Sequence, residues 1–167
     1  MRLIRRSGWP LVAAAAVVIM HASSPAQGPT TRRSALVGTW RVVRFCDDDE
    51  HGKLYDPYGA HPSGYFIYTA TGEVSIQIMR APSVPAFKAG DFSPTGAESR
   101  ALLDSYMGYY GTYTVSSDST VVHHVIGGTL PSYNGTDQQR VFRIRGDTLV
   151  LGGSRATWAC RVLIRAR

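Results

Sequence analysis

The fold is decided by the stretch YFIYTATGEVSIQIM, residues 65–79. It holds two runs rich in β-branched and aromatic residues, 65–69 and 73–79, on either side of the turn sequence Ala-Thr-Gly. Side chains alternate between the two faces of a strand, so one face of each run is apolar. The apolar face holds Phe66, Tyr68, Val74, Ile76 and Ile78. The stretch therefore predicts an antiparallel hairpin with one face in a hydrophobic core.

The same pattern recurs along the chain and predicts eight strands in all. The other runs, separated by Gly, Pro, Asp and Ser, are 37–45, 109–115, 120–126, 138–145, 148–151 and 157–165. Thr95 and Glu98 have the spacing of a capping box, which predicts one short helix that ends near Met107. Strands joined by short turns satisfy their edges by closing on themselves. We therefore expect an all-β, eight-stranded, up-and-down antiparallel barrel with one short helix.

The N-terminal residues 1–26 have the pattern of a signal peptide. Three arginines lie within the first six residues, the uncharged run 11–20 follows, and small residues come next. Ten apolar residues are too few to span a bilayer. We expect cleavage after Ala26, with 22–24 as the alternative site. The pattern predicts an exported protein, periplasmic or secreted, with no membrane span after processing.

The polar segment 27–35 has no periodicity and predicts a disordered lead-in, which leaves 36–167 as the domain. Loss of the three N-terminal arginines lowers the formal charge from +6 to +3. The remaining basic residues are scattered singly, whereas a nucleic-acid site needs them clustered. The composition therefore does not favour a nucleic-acid partner.

The chain has two cysteines, Cys46 and Cys160, and export places them where a disulfide persists. If the first and last predicted strands pair in antiparallel register with these cysteines opposite each other, Trp40 lies beside position 166. Alternation then puts Val162 and Ile164 on the side of Cys160. A disulfide here would close the seam of the barrel. Two unpaired buried thiols are the alternative.

Several motifs resemble those of one protein family. They are GTW at 38–40, the hairpin 64–77, YxGTY at 109–113 and the HHV…GTDQxR segment at 123–140. On these motifs, residues 36–167 resemble the bacterial and fungal lipocalin-like domain family of calycin-type β-barrels. The resemblance implies that Trp40 plugs the floor of the barrel and that Arg165 or Arg167 packs over it.

The strand predicted at 138–145 carries the first candidate ligand-binding residues. Alternation places Gln138 and Arg140 on the same side as Phe142 and Ile144, which marks that side as inward. A planar guanidinium suits carboxylates, so we expect Arg140 to meet an anionic or carbonyl-bearing ligand. The alternatives are an internal carboxylate, a backbone carbonyl, or water at the barrel mouth.

His123 and His124 are adjacent, so one faces inward and the other outward. The family motif favours His123 as the inward residue, whereas pairing across the turn at 117–118 puts His124 on the side of Tyr113. Which of the two histidines faces inward therefore stays open. An inward histidine near Arg140 is a candidate general acid or base, and a hydrogen-bonded wall residue is the alternative. Adjacent histidines on a strand do not ligate one metal. We therefore predict no metal site and no cofactor.

The barrel is rich in tyrosines, and Tyr68, Tyr113 and Tyr133 are candidate ligand contacts. Aromatic rings with polar tips suit a pocket for a mostly hydrophobic molecule, although they equally suit a filled barrel. Our first hypothesis is an exported protein that binds such a molecule, with an acidic or carbonyl group near Arg140, Gln138 and His123. A cofactor-free isomerase or cyclase is the second, and a structural or interaction domain with a filled barrel is the third. The sequence lacks the nucleophile elbow, phosphate loop and HExxH motifs.

Overall fold

Antiparallel strands close into an eight-stranded barrel in a computed structural model that describes residues 29–49, 51–152 and 160–167. The strands are β1 (Gly38–Arg44), β2 (Asp47–Asp48), β3 (Leu54–Tyr55), β4 (Ser63–Tyr68), β5 (Glu73–Met79), β6 (Tyr106–Ser117), β7 (Thr120–Gly128), β8 (Asp137–Arg145), β9 (Thr148–Gly152) and β10 (Arg161–Arg165). The helices are α1 (Pro29–Leu36), α2 (Gly96–Ser105) and a short 3-10 turn (Pro131–Tyr133). The predicted signal peptide, 1–26, lies outside the described residues.

The predicted fold class is confirmed. Around the barrel the order is β1, β10, β9, β8, β7, β6, β5 and β4, and β4 pairs with β1 to close it. The short strands β2 and β3 form a separate hairpin in the long connection after β1. The deciding stretch forms the hairpin of β4 and β5, in which Phe66 pairs with Ile76 and Tyr68 with Val74. Its apolar face is buried, as the alternation predicts.

Helix α2 follows the proline-containing segment and begins as the sequence predicts. The Thr95 hydroxyl accepts a hydrogen bond from the Glu98 amide, and the Glu98 carboxylate accepts one from the Thr95 amide at 2.7 Å. These two bonds satisfy backbone donors that the first turn of a helix leaves without partners. None of the helices in the described part of the chain has the length and apolar character needed to span a bilayer.

Helix α1 occupies most of the segment predicted to be a disordered lead-in. Its last residue, Leu36, is fully buried, and the Arg33 guanidinium lies 5.6 Å from the centre of the Tyr113 ring. The Arg165 guanidinium donates to the carbonyls of Ala35 and Val37, at 3.0 and 2.9 Å. The helix is therefore held by tertiary contacts, which the polar composition of the segment does not reveal.

Trp40 fills the end of the barrel that α1 adjoins. Its side chain is fully buried, and its indole N–H donates to the Leu36 carbonyl at 2.8 Å. The Arg165 guanidinium stands 4.1 Å from the centre of the indole ring. Arg167 instead pairs with Asp147 at the surface. The packing implied by the resemblance is thus present, with Arg165 as the arginine.

The predicted disulfide joins Cys46 and Cys160 at the seam between β1 and β10. Their Cα atoms are 5.1 Å apart, and the Cys46 amide donates to the Cys160 carbonyl at 3.1 Å. The register further along the seam differs from the prediction, because Trp40 lies opposite Arg165 and not position 166. The cause is an irregularity between Val42 and Arg44, where the pairing shifts by one residue.

This one-residue shift changes which residues of β10 face the interior. Arg161 and Leu163 are buried, whereas Val162 and Ile164, which the predicted register puts on the face of Trp40, are only partly buried. A register change of one residue exchanges the inner and outer faces of a strand. The predicted register, which set Trp40 beside position 166, was wrong for that reason.

Candidate functional site

A cavity of about 200 Å³ lies inside the barrel at the end opposite Trp40. Its wall includes Met107 and Tyr109, near the start of β6, whereas α1 contacts Tyr113, further along the same strand. The connection after β1 adds five residues to the wall of the cavity, namely Phe45, Asp47, Tyr55, Pro57 and Tyr58. Aliphatic and aromatic side chains form much of the wall, namely Phe66, Ile76, Met107, Leu130 and Leu151.

His123 is the inward histidine, with 1% of its surface exposed. Its Nε2 atom lies 3.0 Å from the hydroxyl of Tyr68, and its Nδ1 atom lies 2.8 Å from the hydroxyl of Tyr109. The pairing between β6 and β7 shifts between Val115 and Ser117, which puts His123 opposite Tyr113. Simple pairing across the turn puts His124 on that side, and the bulge reverses the assignment.

His124 lies on the outer face of the barrel. Its ring contacts the carboxylate of Asp137 at 2.6 Å and the hydroxyl of Thr114 at 3.0 Å. No group of three or more His, Cys, Asp and Glu side chains in the described ranges has the geometry to hold a metal ion.

Burial controls the protonation of the groups around His123. Burial lowers the pKa of His123 to about 3, and the positive charges of Arg140 and Arg161 act in the same direction. Burial also raises the pKa of Tyr109 to about 12 and that of Tyr68 well above its usual value. At neutral pH the histidine is therefore uncharged and both phenols keep their protons. Because both ring nitrogens are hydrogen-bonded to tyrosines, direct proton transfer between His123 and a ligand would require one of these bonds to open, whereas transfer through Tyr109 would not.

Arg140 projects into the cavity with 7% of its surface exposed. Its guanidinium donates to the Gln139 carbonyl at 2.8 Å, the Gln138 side-chain oxygen at 3.2 Å and the Tyr133 hydroxyl at 3.3 Å. It also lies 5.9 Å from the centre of the Tyr133 ring. All of these acceptors are neutral, and none of the described carboxylates pairs with Arg140. A buried charge of this kind is usually compensated by an opposite charge.

A second buried arginine, Arg161, borders the same cavity with 8% of its surface exposed. It pairs with the Asp47 carboxylate at 3.2 Å, and its guanidinium lies 4.7 Å from the centre of the Phe45 ring. Arg161 is not among the predicted site residues, because the predicted register puts Val162, and not Arg161, on the same face as Trp40. The alternation of Arg161 with Leu163 was the available signal, but two residues do not identify an inward face.

The predicted ligand-binding residues separate into two groups. Arg140, His123 and Tyr133 border the cavity, and the half-buried Gln138 supports Arg140. Tyr68 and Tyr113 are not among its lining residues. Tyr68 contacts His123 from inside the core, while the Tyr113 hydroxyl donates to the Thr69 carbonyl at 2.8 Å and its ring packs on Tyr68. The prediction named neither Tyr109 nor Asp47 as a site residue, although both border the cavity.

The charges around the cavity do not balance. Among the described lining residues, Arg140 and Arg161 contribute two positive charges and Asp47 contributes one negative charge. His123 is neutral, so the cavity has an excess of one positive charge near Arg140. The arrangement can neutralise a carboxylate or polarise a carbonyl oxygen of a bound molecule.

Comparisons with known proteins agree with this architecture. Residues 37–160 match a family model described as a lipocalin-like domain. A segment of 86 residues is 35% identical to the 4'-hydroxy-3'-methoxypropiophenone carrier protein of Aspergillus oryzae, and the match covers 47% of this chain and 77% of that protein. The family match extends from the strand that holds Trp40 to the disulfide at Cys160, so the chain belongs to the lipocalin-like domain family.

Proposed function

We propose that the protein binds a small, mostly apolar molecule whose anionic or carbonyl oxygen contacts Arg140. The observation that carries this proposal is the buried guanidinium of Arg140, which borders the cavity and has neutral acceptors only among the described residues. An oxygen acceptor from a ligand would supply the partner that a buried guanidinium normally has. Gln138 and Tyr133 hold the guanidinium at the cavity wall.

The size and lining of the cavity favour a compact ligand. Its volume of about 200 Å³ is below the range of about 300–1,000 Å³ that is usual for small-molecule sites. Such a volume suits a single substituted ring better than a long lipid chain. The Aspergillus oryzae relative is named as a carrier of an aryl ketone, a compact molecule with a ring and a carbonyl group. This relationship supports the same class of ligand here.

We further propose that the protein acts outside the cytoplasm, periplasmic or secreted, after removal of residues 1–26. The basic, apolar and small-residue regions of that segment support export. The Cys46–Cys160 disulfide supports it independently, because such bonds persist in oxidising compartments.

The first experiment identifies a retained ligand. The full chain is expressed, and the protein is purified from the exported fraction for native mass spectrometry, followed by denaturing extraction. We expect a non-covalent mass increment that extraction assigns to a small carbonyl or carboxylate compound. The Arg140→Gln variant should lose this increment. The matched control Arg145→Gln changes an exposed arginine of the same strand and should retain it.

Two results would contradict the proposal. One is a wild-type protein that carries no ligand and gains none from a panel of aryl ketones and aromatic acids. The other is an Arg140→Gln variant that keeps the ligand at the wild-type level. A retained compound without a carbonyl or acidic oxygen would refute the assigned ligand class.

The enzyme hypothesis assigns His123 as an acid–base group in the same cavity. We favour binding over turnover because burial lowers the pKa of His123 to about 3, which makes it a weak base at neutral pH. Chemical change of an extracted ligand during incubation with wild-type protein, abolished by His123→Gln, would support the cofactor-free isomerase or cyclase instead.

A further inference from the structure

Three side chains form a hydrogen-bonded chain from the core of the barrel to the cavity. They are Tyr68, His123 and Tyr109, which we call the buried relay. We infer that this relay fixes the Tyr109 hydroxyl as a hydrogen-bond donor to the ligand, so that Tyr109 selects for a ligand oxygen acceptor while both ring nitrogens of His123 stay bonded to the two tyrosines. The inference rests on the proposed function, because it assigns a specificity-determining residue in the same cavity.

One end of the relay is buried in the core, and the other end borders the cavity. Tyr68 is 1% exposed, and its hydroxyl lies 3.0 Å from His123 Nε2. Tyr109 is 6% exposed, and its hydroxyl lies 2.8 Å from His123 Nδ1. Tyr109 borders the cavity, whereas Tyr68 is absent from its lining. A ligand therefore has access to the Tyr109 end of the relay.

A neutral imidazole has one N–H donor and one bare nitrogen acceptor, so the relay has two directions. In the first, the Tyr68 hydroxyl donates to Nε2 and the Nδ1–H donates to the Tyr109 oxygen. In the second, the Tyr109 hydroxyl donates to Nδ1 and the Nε2–H donates to the Tyr68 oxygen. The two directions differ in which tyrosine keeps a hydroxyl proton to donate elsewhere.

Burial distinguishes the two directions. The second leaves the Tyr68 hydroxyl proton inside the core, where the described residues offer no acceptor other than His123. An unsatisfied buried donor carries its full desolvation cost. The first direction leaves the free proton on Tyr109, at the cavity, where water or a ligand accepts it. The structure thus favours His123 protonated at Nδ1.

A histidine protonated at both nitrogens would donate to both tyrosines, so both would keep a free hydroxyl proton. The electrostatics of the site disfavour this charged form. Burial lowers the pKa of His123 to about 3, and Arg140 and Arg161 contribute to the shift. His123 is therefore neutral at pH 7, which leaves only the two directions above.

The relay makes the polar wall of the cavity rich in donors. The Tyr109 hydroxyl acts together with the guanidinium of Arg140, while the Asp47 carboxylate is already paired with Arg161. A ligand carbonyl or carboxylate oxygen accepts from these groups. An apolar molecule of the same shape leaves the Tyr109 hydroxyl proton without an acceptor and offers no oxygen to Arg140. A site built around such donors discriminates strongly against analogues that lack the acceptor.

Tautomer measurement by NMR tests the relay without any ligand. Protein expressed from the full chain with ¹⁵N label is studied at pH 7 by long-range ¹H–¹⁵N correlation of the histidine rings. We expect the His123 Nδ1 shift to be that of a protonated nitrogen and the Nε2 shift to be that of a bare one. The Tyr68→Phe variant identifies the His123 signals, which should shift towards a mixture of tautomers.

Binding of a matched pair of probes tests the selectivity. Propiophenone carries a carbonyl oxygen, and propylbenzene has nearly the same shape without it. We expect wild-type protein to prefer propiophenone by tenfold or more in titrations, and Tyr109→Phe to reduce this preference several-fold. Tyr113→Phe is the matched control, because the Tyr113 hydroxyl binds the Thr69 carbonyl outside the relay. It should keep both the preference and the tautomer.

The outcomes separate this inference from the proposed function. His123 protonated at Nε2, or at both nitrogens, would overturn the relay whether or not any probe binds. Nδ1 protonation together with loss of preference in Tyr109→Phe supports it. If both probes bind but Tyr109→Phe keeps the wild-type preference, the inference fails while ligand binding stands. If neither probe binds, ligand selection by Tyr109 and the proposed binding of an aryl ketone both fail, and the NMR result still reports the direction of the relay.

Discussion

The two ends of the barrel each place an aromatic ring beside an arginine, but the two arginines differ in their hydrogen-bond partners. At the floor, Arg165 lies 4.1 Å from the centre of the Trp40 ring and donates to the carbonyls of Ala35 and Val37. At the cavity, Arg140 lies 5.9 Å from the centre of the Tyr133 ring, and its partners belong to its own strand and to that ring.

This difference indicates different roles for the two arginines. Arg165 joins the last strand to the backbone that precedes the first strand, so it links distant parts of the chain. Arg140 bonds almost entirely to nearby residues, so it adds little to the closure of the barrel. A buried charge that contributes little to the fold is a candidate for binding. The floor is therefore structural, and the cavity end is where we place ligand recognition.

Removal of the floor tryptophan should have the largest effect on stability. Trp40→Ala leaves a large void among fully buried side chains and should lower the free energy of unfolding by about 3–5 kcal/mol. The matched change at the cavity end, Tyr133→Ala, removes a half-buried ring and should cost about 1 kcal/mol. Urea denaturation followed by circular dichroism measures both. Equal losses of unfolding free energy in the two variants would show that both ends contribute equally to the stability of the fold.

Loss of the disulfide should have the next largest effect. Cys46 and Cys160 are separated by 114 positions in sequence, and replacing both by alanine should lower the free energy of unfolding by about 2–4 kcal/mol. Because Asp47 and Arg161 adjoin the two cysteines, binding at the cavity should weaken as well. Wild-type protein unfolded under reducing conditions serves as the control and should match the variant. Insensitivity of the wild type to reductant would contradict the expectation.

Acid should destabilise the protein through His123. Its pKa is about 3 in the folded state and about 6.5 when unfolded, so the unfolded chain binds the extra proton between these values. Stability is thus lost as the pH falls below 6.5. Between pH 7 and pH 5 the contribution amounts to about 2 kcal/mol.

The variant His123→Gln isolates this contribution. Denaturation at the two pH values should give a smaller acid-induced loss for His123→Gln than for wild type. His124→Gln, on the outer face of the same strand, is the control for removing a histidine at the surface. Parallel pH dependences of wild type and His123→Gln would show that His123 is not kept neutral by burial.

Replacement of each of the two arginines by methionine should have the smallest effect on stability and compares the two ends of the barrel most directly. Arg165→Met leaves two carbonyls without their donor and should cost about 1–3 kcal/mol. Arg140→Met removes a buried charge without a carboxylate partner among the described residues and should change stability by less than about 1 kcal/mol. Thermal unfolding of the two variants measures the difference. A larger loss for Arg140→Met would indicate that the cavity arginine holds the fold together.

Much of the candidate site followed from alternation within single strands. The inward position of Arg140 follows from Phe142 on the same face, and both residues are buried. Alternation did not predict the contacts of Tyr113, because the hydroxyl of an inward tyrosine can reach either the cavity or the backbone. Its hydroxyl bonds to the Thr69 carbonyl. A strand pattern gives the face of a side chain, but it does not give the depth of that side chain along the barrel.

The sequence by itself predicted the eight strands of the barrel, the hairpin at residues 65–79 and the closure of the barrel, and it left the disulfide between Cys46 and Cys160 open against two free thiols. The strands and the hairpin depend on the two-residue period of a strand and on local turns, which are written in neighbouring residues. The tertiary structure alone decided that His123 and Arg161 face the interior. Both assignments depend on shifts of pairing by one residue, between β1 and β10 and between β6 and β7. Such a bulge exchanges inner and outer faces, and its position depends on how two distant strands fit together.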